Sequence, residues 1–291
     1  MRRSESDVPS LSLASFSQLR GAFRRAKARL WAQRGRTPDA YGYNAAKWLA
    51  IEAGVKAGDG KYGWNDAGID ERVVEYPWLF ERVAALARSD ARILDAGSVV
   101  NHWRILDRWR SAGFPPVSMV TLGYEGFARV ANEARYEFAD LRRLPYRDQW
   151  FTIVLCLSTI EHVGMDNRIY GSDVDAASKP TTEARRAMAE LHRVTATGGT
   201  LLLSVPYGAR SNRGWFRILD TEDLDQLTSV PGWQRTQSRF FQATRDGWRE
   251  VSADAVRAAG YNEPVHRSGQ RTAPAWVAGA EAVALVELTR R

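Results

Sequence analysis

Apolar residues alternate along the chain between two rhythms. RILDAGS (92–98) is a short apolar run ending in Asp and Gly, and VSMVTLG (117–123), YEFADL (136–141), FTIVLCLST (151–159) and TLLLSVP (200–206) repeat that form. Each has the length of a strand. Between them the spacing becomes helical: 100–110 follows the first run, and 182–194 carries Met188, Leu191 and Val194 on one face before Gly198 and Gly199 end it. Strands separated by helices pair in parallel through crossovers. The continuous apolar runs at 151–159 and 200–206 suit strands covered on both faces. Two further strands, 240–244 and 282–289, flank a helix at 253–259. The pattern predicts an open, doubly wound α/β sheet of seven strands.

Upstream, 44–55 reads as a helix, 57–68 as a Gly-rich loop, and Pro77 as the first residue of a helix running through Arg88. Residues 41–80 hold eight aromatics: Tyr41, Tyr43, Trp48, Tyr62, Trp64, Tyr76, Trp78 and Phe80. Core packing is the simpler use of so many rings, and contact with sugar rings is the alternative. The chain divides into an arm (1–40), a helical, aromatic cap (41–90) and the sheet domain (91–291).

Charge sharpens that division. The 291 residues carry a formal charge of +7, and residues 1–36 alone hold 9 bases against 2 acids, so the rest is neutral. A nucleic-acid binder that wraps its ligand needs cations spread over its folded body, which counts against that class. Residues 1–17 are Ser-rich and predicted disordered. Leu19, Phe23, Leu30 and Trp31 recur at helical spacing among arginines. That spacing predicts a basic amphipathic helix, with residues 18–36 touching an anionic membrane surface or a partner; a solvated arm is the alternative. The single cysteine, Cys156, requires no oxidising compartment. No run approaches the ~20 apolar residues of a membrane span, and serines interrupt 11–16 where a signal peptide would be apolar. These features predict a cytoplasmic protein, peripheral on the inner membrane face if the arm docks.

Doubly wound sheets hold their ligand at the carboxyl ends of the strands. There stand Asp95, Gly97 and Ser98 after the first strand, Asp140 and Leu141 after the third, and Ser158, Thr159, Ile160, Glu161 and His162 after the fourth. A turn with Gly97 lets the backbone approach a ligand closely, and Asp140 can accept from an exocyclic amine.

RILDAGS, FADLRRLPYRDQWF (138–151), TIVLCLSTIEHVG (152–164) and ELHRVTATGGTLLLSVPYG (190–208) come in an order and spacing that resembles a class I S-adenosylmethionine-dependent methyltransferase. VALVELT fits that family's antiparallel seventh strand and extends the resemblance over about 75–290. The resemblance implies a Rossmann-like, mostly parallel sheet with an antiparallel last strand, and S-adenosylmethionine as cofactor. It also implies that Asp95, Gly97 and Ser98 line the methionine end, Asp140 and Leu141 bind adenine, and Ser158, Thr159 and Ile160 flank the sulfonium. Val99 and Asn101 stand where the family has further glycines. Gly123 or Tyr124 replaces its strand-two acid, with Glu125 near enough to take the ribose. A dinucleotide-dependent dehydrogenase needs G-x-G-x-x-G here, and the chain has one glycine.

Methyl transfer from a sulfonium is an in-line displacement helped chiefly by positioning, and a hydroxyl acceptor also needs a base. His162 is the candidate base, since imidazole accepts protons near neutral pH; a capping or pocket-shaping role is the alternative. Glu161 could orient that base, ligate a cation or cap a helix. His102, His192 and His266 form no metal-ligand spacing, so no structural metal is expected. Residues 164–181 read as a lid over the site or as a plain insertion. Glu75, Tyr76 and Trp78, then Tyr207, Trp215, Arg217 and Trp248, are candidates for acceptor binding. The combination of VEYPW, STIEHVG and VPYG is similar to uncharacterised methyltransferases that accompany polysaccharide and lipopolysaccharide assembly. It implies a saccharide hydroxyl, on a nucleotide sugar or a growing glycan. Methylation of a small metabolite or RNA, and a degenerate scaffold in a glycan-assembly complex, stay open.

Overall fold

The computed structural model describes residues 40–57, 69–123, 135–168, 176–177, 179–262 and 279–291. The basic arm, residues 58–68 of the Gly-rich loop, Glu125, His266 and residues 169–175 and 178 of the 164–181 segment lie outside these residues.

Two helices, α1 (Ala40–Ala57) and α2 (Arg72–Leu86), precede β1 (Ile93–Ala96), α3 (Trp103–Ser111), β2 (Val117–Thr121), β3 (Arg135–Phe138) and β4 (Phe151–Leu157). After β4 come a single 3-10 turn (Ile160–His162), α4 (Pro180–Val194) and β5 (Thr195–Pro206). The chain continues through β6 (Ser211–Asn212), β7 (Arg217–Ile218), α5 (Thr221–Thr228), β8 (Trp233–Thr244), β9 (Gly247–Val251) and β10 (Ala282–Arg290).

The main sheet has the order β3-β2-β1-β4-β5-β10-β8-β9. Strands β1 to β5 pair in parallel, and β10 runs antiparallel between β5 and β8. The doubly wound, Rossmann-like α/β fold is therefore present, with its antiparallel last strand. Because β1 is flanked by both β2 and β4, the chain leaves it in opposite directions, which opens a crevice at its carboxyl end.

The two faces of the sheet are covered by different helices. In β4, Ile153, Leu155 and Leu157 join the cluster under α1, α2 and α3, while Val154 and Cys156 join the cluster under α4 and α5. This is the alternation a strand imposes, applied to a run that is apolar at every position because both faces are buried.

Four expectations change. Helix α2 starts at Arg72, with Pro77 inside it. A proline there removes one ladder hydrogen bond, but its ring packs on Gly54 of α1, where a Cβ would lie 2.6 Å from Pro77 Cγ. Helix α4 passes directly into β5 at Thr195, so Gly198 and Gly199 lie in the strand, where the register against β4 shifts. The strand predicted at 240–244 begins at Trp233 and turns back as β9, giving eight strands in the main sheet instead of seven. Of the helix expected at 253–259, a 3-10 turn at Asp254–Val256 forms.

Candidate functional site

A cavity of about 340 Å³ lies at the carboxyl ends of β1 to β4, with Lys47 and Trp48 of α1 and Arg72 and Tyr76 of α2 in its wall. The sequence builds its β1 side as a tight turn. Asp95, fully buried, accepts from Val100 N–H at 2.7 Å, and Gly97 donates to the Val120 carbonyl at 2.8 Å. Tyr76 Oη donates to the Val99 carbonyl at 2.8 Å. Gly97 has φ +127, and a Cβ there would sit 2.1 Å from Thr159 Oγ1. The turn and the end of β4 therefore touch at a point that admits no side chain. Ser98 is buried with φ 59, and its Oγ has no hydrogen-bond partner among the described residues; neither side-chain atom of the buried Asn101 has one either.

The β4 side is finished differently. Ser158 ends the strand at φ 39, a left-handed conformation costing about 1–3 kcal/mol for a residue with a side chain. Three hydrogen bonds hold it there: Ser158 N–H donates to the Ser204 carbonyl and to Ser204 Oγ, both at 3.0 Å, and Ser158 Oγ donates to Glu75 Oε1 at 2.6 Å. Glu75, fully buried, also accepts from Ser204 Oγ at 2.6 Å and from Arg72 at 2.7 Å. Thr159 Oγ1 donates to the Leu157 carbonyl at 2.8 Å.

His162 lines the cavity from the 3-10 turn. Its Nδ1 lies 2.8 Å from the Trp215 carbonyl. A carbonyl only accepts, so Nδ1 carries the proton, and in the neutral ring Nε2 is the nitrogen able to take another. Trp215 and Phe216 pack beside the ring, with centroids at 5.2 and 5.9 Å. Glu161 is 1 % exposed, and its Oε1 stands 3.9 Å from His162 Nε2. Burial pushes the Glu161 carboxyl up to about 8, against the opposing pull of a backbone hydrogen bond.

At the β3 end, Asp140 receives Arg142 through its backbone N–H and guanidinium. Burial opposes the carboxylate, but these hydrogen bonds outweigh it and hold Asp140 below the usual carboxylate range. Arg142 also donates to Glu183 at 2.6 Å. Lys47 likewise pairs with Asp70 at 2.6 Å. The cavity cations Lys47, Arg72 and Arg142 thus each face a carboxylate.

Of the residues singled out in the sequence, Tyr76, Gly97, Ser98, Asp140, Leu141, Ser158, Thr159 and His162 meet at this cavity. Asp95, Glu75, Ile160 and Glu161 lie buried behind its wall. Trp78 is in the core, Tyr207 bonds Thr221 Oγ1 at 2.7 Å, and Trp248 donates to the Ile69 carbonyl at 2.8 Å, all away from the lining. Arg217 is buried and donates to Thr181 Oγ1 at 2.8 Å. Glu125 lies outside the described residues. Lys47, Trp48, Arg72, His102, Arg142 and Asn167 line the cavity without having been singled out. Arg142 had a local signal, two residues beyond Asp140. The α1 and α2 residues had none, because a packing far along the chain brings them over the crevice.

A sequence model described as a methyltransferase domain matches residues 126–203, the stretch that carries Asp140, Ser158, Thr159 and His162. No curated protein sequence matches the chain. Among solved structures, the chain is similar to the YcgJ protein of Bacillus subtilis at 14% identity, TM-score 0.45, over 72% of this chain and 96% of that one. It is similar to a putative methyltransferase of Bacillus halodurans at 16% identity, TM-score 0.44, over 71% and 95%. It is also similar to the 1,6-didemethyltoxoflavin-N1-methyltransferase of Burkholderia thailandensis, solved with 1,6-didemethyltoxoflavin and S-adenosylhomocysteine, at 12% identity, TM-score 0.44, over 98% and 93%. Likeness this distant assigns no acceptor.

Proposed function

We propose that this chain is a methyltransferase that takes its methyl group from S-adenosylmethionine and acts on a saccharide hydroxyl, on a nucleotide sugar or a growing glycan, with His162 as general base; the methyltransferase-domain match over 126–203 supports the reaction class. The observation that carries the reading is the anchored imidazole: the Trp215 carbonyl holds Nδ1–H, leaving Nε2 to take a proton on a ring that lines the cavity. Glu161 supports it. Neutral below about pH 8, it presents no anion to trap the proton on His162.

The cavity suits the donor on one structural ground: Ser98 and Asn101 line it with buried polar atoms that lack partners among the described residues, and a polar ligand completes them. Gly97, Ser98, Asp140, Leu141, Ser158 and Thr159 are the residues that hold it on this reading, with Asp95 supporting the turn from behind and Ile160 buried in the core beneath. Bound there, S-adenosylmethionine supplies an electrophilic methyl group on its sulfonium. The chain's part is to align the acceptor oxygen, to exclude water and to move the hydroxyl proton onto His162 Nε2. Tyr76 in the wall and Trp215 against His162 offer aromatic faces of the kind that sugar rings pack on.

The same reading gives residues 18–36 to an anionic membrane surface. No helix among the described residues is long and apolar enough to cross a membrane, so contact would be peripheral. Full-length protein should sediment with phosphatidylserine vesicles and lose that property without residues 1–36; full-length protein that stays in the supernatant refutes the contact.

Incubation with methyl-labelled S-adenosylmethionine and a panel of nucleotide sugars and glycans tests the acceptor. Label should appear in a methyl ether, which survives alkali, whereas a methyl ester would release methanol. Alkali-labile label, or label on nitrogen, would remove the hydroxyl assignment.

A further inference from the structure

We propose that a groove between α1 and α3 binds one anionic lipid, its hydrocarbon chain on the groove floor and its phosphate between Lys56 and Arg108. The inference deepens the membrane contact proposed above and stands apart from the arm. The groove has a volume of about 270 Å³, and Trp48, Ile51, Val55, Phe80 and Ile105 make its apolar floor. Positions 48, 51 and 55 are spaced by three and four residues, so α1 turns them to one side. From Trp48 to Lys56 the α1 bank runs for about 12 Å at the rise of a helix. Trp48 also lines the cavity, where His102 stacks on it with ring centroids 4.1 Å apart. The two spaces therefore share a wall.

The rim is cationic. Both acids on it are engaged, Glu52 with Arg104 at 3.0 Å and Asp107 with Arg110 at 2.9 Å. Lys56 and Arg108 are exposed, stand on opposite banks and form no ion pair among the described residues. Beside them Trp103 is exposed, with the Arg104 guanidinium 4.6 Å from its ring centroid. An apolar trough under unpaired cations complements an amphiphile with an anionic head. Other occupants fit less well. The arm, with 9 bases against 2 acids in residues 1–36, meets like charge at this rim. A nucleobase needs partners for its polar edge, and Ser111 is the one hydroxyl or amide side chain on the groove among the described residues. A hydrocarbon chain needs none. The arm supplies attachment and the groove orientation: a lipid held beside Trp48 sets the cavity next to the bilayer surface.

Calorimetric titration of the full chain with decyl phosphate, below the concentration at which it forms micelles, tests the site. Decanol, which lacks the charge, and inorganic phosphate, which lacks the chain, should each bind at least about 10-fold more weakly. The double variant Lys56→Glu/Arg108→Glu should lose about 10-fold or more in decyl phosphate affinity and keep its affinity for S-adenosylhomocysteine. A thermal unfolding curve checks that it folds, and Lys56→Gln/Arg108→Gln takes its place if it does not. Decyl phosphate that fails to bind, or binds the variant as well as wild type, overturns the proposal. UDP that binds more tightly than decyl phosphate and depends on the same two cations replaces the lipid by a nucleotide and also overturns it. Full-length protein that ignores phosphatidylserine vesicles, while decyl phosphate binding still follows Lys56 and Arg108, removes the arm contact and leaves the groove standing.

Discussion

The turn after β1 and the end of β4 face one cavity and are built on opposite plans. In the turn the backbone is engaged and the side chains of Ser98 and Asn101 lack partners among the described residues. At the end of β4 the side chains are engaged: Ser158 with Glu75, Thr159 with Leu157, His162 with Trp215. A surface that keeps unmade hydrogen bonds is prepared for a ligand, and one that ties its hydroxyls and imidazole to the fold is prepared to hold a geometry. The proposed division of labour follows: the turn offers open polar groups to the donor, and the β4 end, which also borders the donor, fixes the base.

Removing the support under β4 should have the largest effect. Glu75→Ala strips Ser158, Ser204 and Arg72 of a common acceptor, and breaking a buried pair of this kind costs about 3–5 kcal/mol. Chemical unfolding measures it, and a loss below about 1 kcal/mol, the scale of a surface pair, would show that the network holds little.

Joining the two regions by a methyl group comes next. In Gly97→Ala the new Cβ meets Thr159 Oγ1 at 2.1 Å, on a backbone at φ +127, with an expected cost of about 1–3 kcal/mol. Adding Thr159→Gly removes the contact but leaves the dihedral, so stability should recover in part. Full recovery would assign the whole cost to the contact, and no recovery would assign it to the backbone.

A smaller effect depends on pH. The folded protein keeps the Glu161 proton up to about 8, while the ordinary value is 4.5. The neutral carboxyl therefore favours the fold fully below about 4.5, and that advantage disappears as pH rises through about 8. Glu161→Gln stays neutral, so its stability relative to wild type should rise between about pH 5 and about pH 9, by about 1 kcal/mol or more. Melting curves at the two pH values give the answer; a gap that fails to widen means that Glu161 ionises freely in the fold.

The five parallel strands and the residues at their ends were legible because a two-face-buried strand leaves a continuous apolar run, and the crevice follows from strand order. Trp78, Tyr207 and Trp248 read as site residues by their chemistry, yet aromatic content reports burial before it reports binding, and the structure buries all three. Pro77 read as a helix start because its ring is tolerated there; its place inside α2 depends on Gly54, 23 residues earlier. Strand β8 hid most of its length because 234–237 is exposed and polar while still paired to β10. Lys47 and Arg72 reach the cavity through tertiary packing, which leaves no local trace, whereas His102 stands at the end of the turn that carries Ser98. Asn101 stood in the sequence as a missing glycine, and it lines the cavity with its amide unpartnered among the described residues.

The most direct test is single-turnover methyl transfer by His162→Ala, run beside its affinity for S-adenosylhomocysteine. The account predicts unchanged affinity, because His162 is not among the residues assigned to the donor, with transfer slower by ~10²-fold or more, the scale of a general base. Transfer at the wild-type rate, or a loss of donor affinity that accounts for the slowing, would contradict it.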